Sequence, residues 1–257
     1  AVTANLLTGS LSASASLLGQ NNIVSIGDFA TGVANWSDGG FELTDIDGGL
    51  NIIGALSTQG GDMDVDVVGD LDIASGGSVN ANGGNIDLFQ TGIFSSGDDT
   101  VQTSGMGTIT LQQNEGGLIQ DPIDAILNSG TGQSTVNVGA GTYTEDLIVD
   151  KALKLAASGA TLQSNGAANL ITVTAANVNI DPFAFDGLGT ALYGIFADGA
   201  NGLIVDGNSF TGFVEAAVEI ANSKNAKVFG NTITGGKKGI HGDAVENIQA
   251  FENIVND

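Results

Sequence analysis

The stretch Gly194–Asn256, GIFADGANGLIVDGNSFTGFVEAAVEIANSKNAKVFGNTITGGKKGIHGDAVENIQAFENIVN, repeats itself with almost no drift. Ile195, Val218 and Ile240 form one column, Leu203, Ala226 and Ile248 a second, and Val205, Val228 and Ala250 a third. Asn208, Asn231 and Asn253 form a fourth, and Phe210, Ile233 and Val255 a fifth. Every column steps by 23 and then 22 residues. Apolar and polar positions alternate within each unit, which is a strand period, and the units turn on Gly or Asn. A unit of ~22 residues with short strands and no helix predicts one rung of an all-β, right-handed parallel β-helix. A leucine-rich repeat has a similar period but needs a denser leucine pattern.

Stacked rungs place equivalent residues ~4.8 Å apart, so inward columns must be chemically uniform. The apolar columns meet that demand. Asn208, Asn231 and Asn253 meet it in a different way, because Asn tolerates a left-handed bend and its amide can bond backbone or the next Asn. This column resembles the asparagine ladder of the pectin-lyase-like β-helix superfamily. The plainer reading, three turn asparagines, fits the same fold, and on either reading the residues are structural and no catalytic residue is assigned.

Working outward, the same rhythm holds earlier in the chain. Phe41, Met63, Ile86 and Ile109 step by 22, 23 and 23, as do Leu43, Val65, Leu88 and Leu111. Two further columns, Leu50, Leu71, Ile93 and Leu56, Val79, Val101, are expected to supply the other walls of a three-stranded rung. Strands are also expected in Ala1–Ala34, with their register left open. The texture GGFELTDIDGGLNIIGALSTQGGDMDVDVVGDLDIASGGSVNANGGNIDL resembles the repeats of filamentous-haemagglutinin-like exoproteins over about residues 5–115. That resemblance implies a secreted or cell-surface bacterial β-helix shaft and carries over no functional residue.

The rhythm breaks at GLIQDPIDAILNS, Gly117–Ser129. Ile119, Ile123, Ile126 and Leu127 share one helical face, Asp121 reads as an N-cap before Pro122, and Gly130 follows. These signals predict a short helix over about Pro122–Asn128. The helix followed by VNVGAGTYTEDLIV resembles the opening of pectin-lyase-like domains over about residues 118–257, where a helix caps the prism. Here Ala140 stands in place of that family's Pro before Gly141, Thr142 and Tyr143. Beyond it Leu153, Val178, Leu203 and Leu155, Ile180, Val205 advance by 25, and Phe183 takes the Asn position one rung before Asn208. Two segments are therefore expected, 1–116 and 117–257.

Charge narrows the function classes. The 257 residues carry 29 acidic side chains against 6 Lys and no Arg, a formal net charge of −23. Such a surface repels nucleic acid and anionic lipid. No apolar run reaches the ~20 residues that span a bilayer, so no membrane insertion is expected. No Cys is present to report on redox compartment. Ala1–Ser10 carries no basic-then-apolar leader, and the rungs begin and stop without distinct caps. We read the chain as a piece of a longer exoprotein, extracellular or at the cell surface.

Three acidic groupings invite chemistry. Glu42, Asp64 and Asp87 share an outward column at rung spacing, where like charges ~5 Å apart repel by about 1 kcal/mol in water. Ca²⁺ bridging successive rungs would relieve this, and a hydrated, salt-screened face is the simpler account; no metal ligand or cofactor is assigned. Asp181, Asp186 and Asp206 could supply opposed carboxylates for a polysaccharide hydrolase. Asp181-Pro182 resembles the start of the alginate-epimerase signature, but Phe183 and Ala184 replace its His and final acid. His241, read as a loop residue beside Asp243, could serve as a base. Lys237 and Lys238 could meet a sulfated or uronic glycan. Against a carbohydrate-active enzyme stands the lack of Arg to neutralise a uronate. The expectation is a non-enzymatic structural or adhesin shaft, about ten or eleven rungs and ~50 Å long. Its partners would be other copies end to end or the rest of a longer chain, and host or matrix glycans. A carbohydrate-active enzyme or a glycan-binding module without turnover is the alternative.

Overall fold

Strand alternation decides which side chains meet, and here it sends every second residue into a narrow interior. Met63–Val67 and Ile86–Gln90 are buried at alternate positions throughout their length. The computed structural model describes residues 1–32, 39–46, 48–127 and 132–256. It is an all-β parallel solenoid of about 11 turns, with about 23 residues per turn and almost no helix. Two compact units, Ala1–Val136 and Asn137–Asp257, divide it. The change in sequence rhythm at residues 116/117 thus falls within the first of these units. Ala34, which closes the N-terminal stretch, lies outside the described residues, as do Asn128 and Gly130.

In the first unit one wall is built from Thr3–Ala4, Ala15–Ile23, Phe41–Asp45, Met63–Val67, Ile86–Gln90 and Ile109–Gln113, in that order and all parallel. The second runs through Leu50–Ile52, Leu71–Ile73 and Phe94–Ser96, and the third through Ala55–Ser57, Ser78–Asn80, Val101–Gln102 and Ile126–Leu127. Ser25–Ala30 serves both walls: Ser25 and Ile26 pair with Asn51 and Ile52, while Phe29 and Ala30 pair with Leu56 and Ser57. The predicted columns on Phe41, Leu43 and Leu56 hold, with each member buried. The column on Leu50 does not hold at its last member. Phe94, not Ile93, lies under Leu71 and inside the core. The 23-residue step that carries Met63 to Ile86 also carries Leu71 to Phe94, whereas Ile93 spends its N–H on Asp70 Oδ1 at 2.9 Å.

The predicted helix exists but is displaced toward the N-terminus. It spans Gln120–Ala125, begins from Ile119 with no side-chain cap, and holds Asp121 inside its first turn. Ile126 and Leu127 have already become strand, pairing with Val101 and Gln102. The reason is competition: Ile126 is buried beneath Val101, and extending the third wall satisfies its backbone while filling the apolar column. The helix packs against Phe94–Ser96, at the point in the turn where a second-wall strand would otherwise stand.

The second unit repeats the plan with different corners. Leu153–Ala157, Asn179–Asp181, Ile204–Asp206, Lys227–Phe229 and Gln249–Phe251 form one wall. Gly141–Thr144, Ala160–Gln163, Ala184–Asp186, Ser209–Thr211, Thr232–Thr234 and Ile254–Asn256 form the next. Leu147–Val149, Asn169–Val173, Tyr193–Asp198, Ala216–Ala221 and Lys238–Asp243 complete the turn. Val205, Val228 and Ala250 are direct neighbours, as are Phe210, Ile233 and Val255. Phe185 and Phe210 stack with ring centres 4.7 Å apart and planes 7° from parallel, so the like-on-like rule extends to aromatic rings.

Candidate functional site

The asparagines occupy the corner between the first and second walls of the second unit, and their amides form a relay. Asn208 Nδ2 donates to Asn231 Oδ1 at 3.1 Å, and Asn231 Nδ2 donates to Asn253 Oδ1 at 2.9 Å. Each Oδ1 also accepts a backbone N–H from the turn before: Phe183 to Asn208 at 2.8 Å, Asn208 to Asn231 at 2.9 Å, and Asn231 to Asn253 at 3.0 Å. The same Nδ2 groups reach the carbonyls of Ile180, Val205 and Val228. Asn208 and Asn231 are buried, so these bonds satisfy polar groups that water cannot reach.

The first unit answers the same problem with a different set of residues, which the sequence reading did not single out. Thr31 and Thr58 Oγ1 donate to the carbonyls of Gly39 and Gly61, and Thr103 Oγ1 to that of Gly84, each at 2.6 Å. The signal was the step from Thr58 through Ala81 to Thr103, 23 and then 22 residues. The partner glycines have a steric reason. A Cβ on Gly61 would lie 2.4 Å from Gly40 N, and one on Gly84 would lie 2.2 Å from Gly61 O. At the end of the first wall a second polar column runs through Asn21, Asp45, Val67 and Gln90. It is mixed in kind, and Gln90 Oε1 is buried with no hydrogen-bond partner among the described residues, although its Nε2 donates to Gln112 O at 2.6 Å.

The acidic column stands as expected on the outer face, with Glu42 beside Asp64 and Asp64 beside Asp87. Partial burial pushes the Asp64 carboxyl above its ordinary value, and Asp66, Asp87 and Glu42 push it the same way. Asp87 is raised too, by burial first and then by Asp66. Ser16 Oγ donates to Glu42 Oε2 at 2.9 Å. Among the described residues no group of three or more His, Cys, Asp or Glu is placed to hold a metal ion.

Asp181 and Asp206 come together on consecutive strands, but Asp186 lies past the corner on the next wall. Asp181 pairs with Lys154 Nζ at 3.3 Å. Asp206 is raised by burial and by Asp181, with Lys154 opposing and Glu252 reinforcing. Asp186 Oδ1 accepts the N–H of Leu188 at 3.0 Å, which fixes a turn. His241 is not a loop residue. It lies in the strand Lys238–Asp243 directly beside Glu219, and its Nδ1 meets the two carboxylate oxygens at 2.8 and 2.9 Å. Their separation of 22 residues is one rung, which was the available clue. Phe196 precedes Glu219 in the same outward column, and the Tyr193 ring lies 5.6 Å from that of Phe196. Lys237 is paired with Glu215 rather than left as a free basic site, and Lys238 begins the strand that carries His241.

No family model matches this chain. Nor does any curated protein or any solved structure. The fold stands on the register and the side-chain relays described above, and the likeness to haemagglutinin-type and pectin-lyase-type repeats stays a resemblance of sequence. Among the described residues no helix is long and apolar enough to cross a membrane.

Proposed function

We propose that this chain is the shaft of a secreted or cell-surface bacterial exoprotein, with a filamentous-haemagglutinin-like part over residues 5–115 and a pectin-lyase-like part over 118–257. The observation that carries the reading is the amide relay Asn208–Asn231–Asn253, which joins three successive turns of the second unit by side chains as well as by backbone. Parallel strands stacked along an axis, with buried side-chain bonds running the same way, resist extension along that axis. The acidic surface favours solubility and discourages adventitious contacts. As a shaft it would join other copies end to end or the remainder of a longer chain. Force spectroscopy on the intact chain tests this. Mechanical unfolding in steps of whole turns, at forces well above those of helical repeats, is the expected result. Smooth low-force extension, or steady release of reducing ends from a polysaccharide by the chain, would overturn it.

A second reading, glycan binding without turnover, is favoured by one feature. The outer face of Tyr193–Asp198, Ala216–Ala221 and Lys238–Asp243 brings aromatic rings next to a carboxylate and an imidazole.

A further inference from the structure

Phe196, Glu219 and His241 stand in one outward column on three consecutive strands. Tyr193 and Phe196 are half-buried, their planes tilted by 40° with centres 5.6 Å apart, and their partners on the next strand are the small Ala216 and Glu219, both buried. Two aromatic faces are thus held in partial contact with water, on a sheet whose interior is already filled. Glu219 is only 8% exposed although it stands in the outward column with Phe196 and His241. Both of its oxygens lie within hydrogen-bond distance of His241 Nδ1, so carboxylate and imidazole are held together on this face. The loop Gly187–Leu192 that leads into Tyr193 is six residues long, against four in Gly212–Glu215 and three in Gly235–Lys237 at the same corner. Leu188 and Leu192 in this longer loop are exposed.

We infer that this face is a saccharide-contact site, an inference that rests on the glycan-binding reading above. A sugar ring has an apolar C–H face that an aromatic platform can cover and hydroxyls at its rim that a fixed carboxylate and an imidazole can bond. The charge of the surroundings selects the sugar. Asp198 and Asp243 flank Ala221, two positions along the strand from Glu219, and Lys238 stands in the column of Tyr193 and Ala216, so three carboxylates outnumber the one lysine of this face. A uronate or sulfate would meet repulsion here, so the site takes a neutral or amino sugar.

The test is a titration of the full chain, followed by backbone amide NMR, with cellohexaose as neutral probe, a glucosamine hexamer as amino probe and a galacturonate hexamer as acidic comparator. Either of the first two should shift the amides of Phe196, Glu219 and His241. Phe196→Leu should weaken binding at least tenfold and Glu219→Gln several-fold, with the amides of Asn208 and Asn231 unmoved to confirm an intact fold. Preferential binding of the galacturonate hexamer overturns the inference, and so does binding equal in both variants and wild type. The latter result would leave glycan binding standing elsewhere on the chain. No binding of any probe overturns the site and the glycan-binding reading together, leaving the shaft to the force measurement.

Discussion

The two units solve one geometrical problem with different chemistry. Residues 1–136 hold 16 acidic side chains and no Lys, Arg or His, a formal −16; residues 137–257 hold 13 acids and 6 Lys, a formal −7, which together make the −23 of the chain. The first unit turns its corners on threonine hydroxyls bonded to flush glycines and on a mixed polar column interrupted by Val67. The second turns on a single repeated amide. What a corner requires is that each donor find an acceptor one turn away. A uniform column does this at every rung, whereas a mixed one leaves a gap such as Gln90 Oε1.

The largest expected effect separates the two corners directly. Asn231→Ala removes the donor to Val205 O, Phe229 O and Asn253 Oδ1 and the acceptor for Asn208 N–H, so it should cost about 3 kcal/mol in urea unfolding. Gln90→Leu sacrifices a single bond and buries an apolar group in place of an orphaned oxygen, so its cost should stay within about 1 kcal/mol. Equal losses in the two variants would erase the distinction drawn between a relay and a patchwork. Next in size is Gly84→Ala, whose Cβ meets the Gly61 carbonyl oxygen at 2.2 Å and its carbon at 2.5 Å. Backbone must move, and a loss of about 2 kcal/mol is expected, seen as faster amide exchange around Gly61.

The smallest effect has the opposite sign. Asp64→Asn should stabilise the first unit by about 0.5 kcal/mol at most, because solvent screens these charges, and added salt should shrink the gain. Asp64 and Asp87 both have folded-state pKa values above their ordinary ones. Their charged forms therefore lower stability at neutral pH, and that penalty is withdrawn as the pH falls through the folded values. Amide protection in the first unit, measured relative to the intrinsic exchange rate at each pH, should accordingly rise on mild acidification. A first unit that loosens under the same change would show that like-charge repulsion is not what distinguishes it.

The stacked interior was legible in the sequence because its columns repeat at one step and tolerate only one kind of residue. Phe41, Leu43, Val205 and Phe210 could be placed with their neighbours by counting alone. Counting slipped where two apolar residues are adjacent. Ile93 and Phe94 both satisfy an apolar position, and only the register of the preceding wall chooses between them. Helix signals at Asp121-Pro122 located the helix but not its end, since the pull of the third wall on Ile126 is a tertiary effect. The pairing of Glu219 with His241 was visible as a one-rung interval, but nothing local to either residue marks it. The threonine corner stayed hidden because Thr31, Thr58 and Thr103 look like ordinary solvent-facing threonines until the glycine carbonyls are in place.

The asparagine relay also sets how such a chain can vary in descent. Inserting one residue inside a strand such as Lys227–Phe229 would shift the side chains after it in that strand to the opposite face. The corners absorb single residues, since the asparagine step is 23 and then 22. Excising a complete coil, from one asparagine to the next, rejoins equivalent donors and acceptors and leaves each pile of side chains intact. Length changes within the strands of the second unit are therefore confined to whole coils of 22 to 25 residues, and the smaller ones fall at the corners.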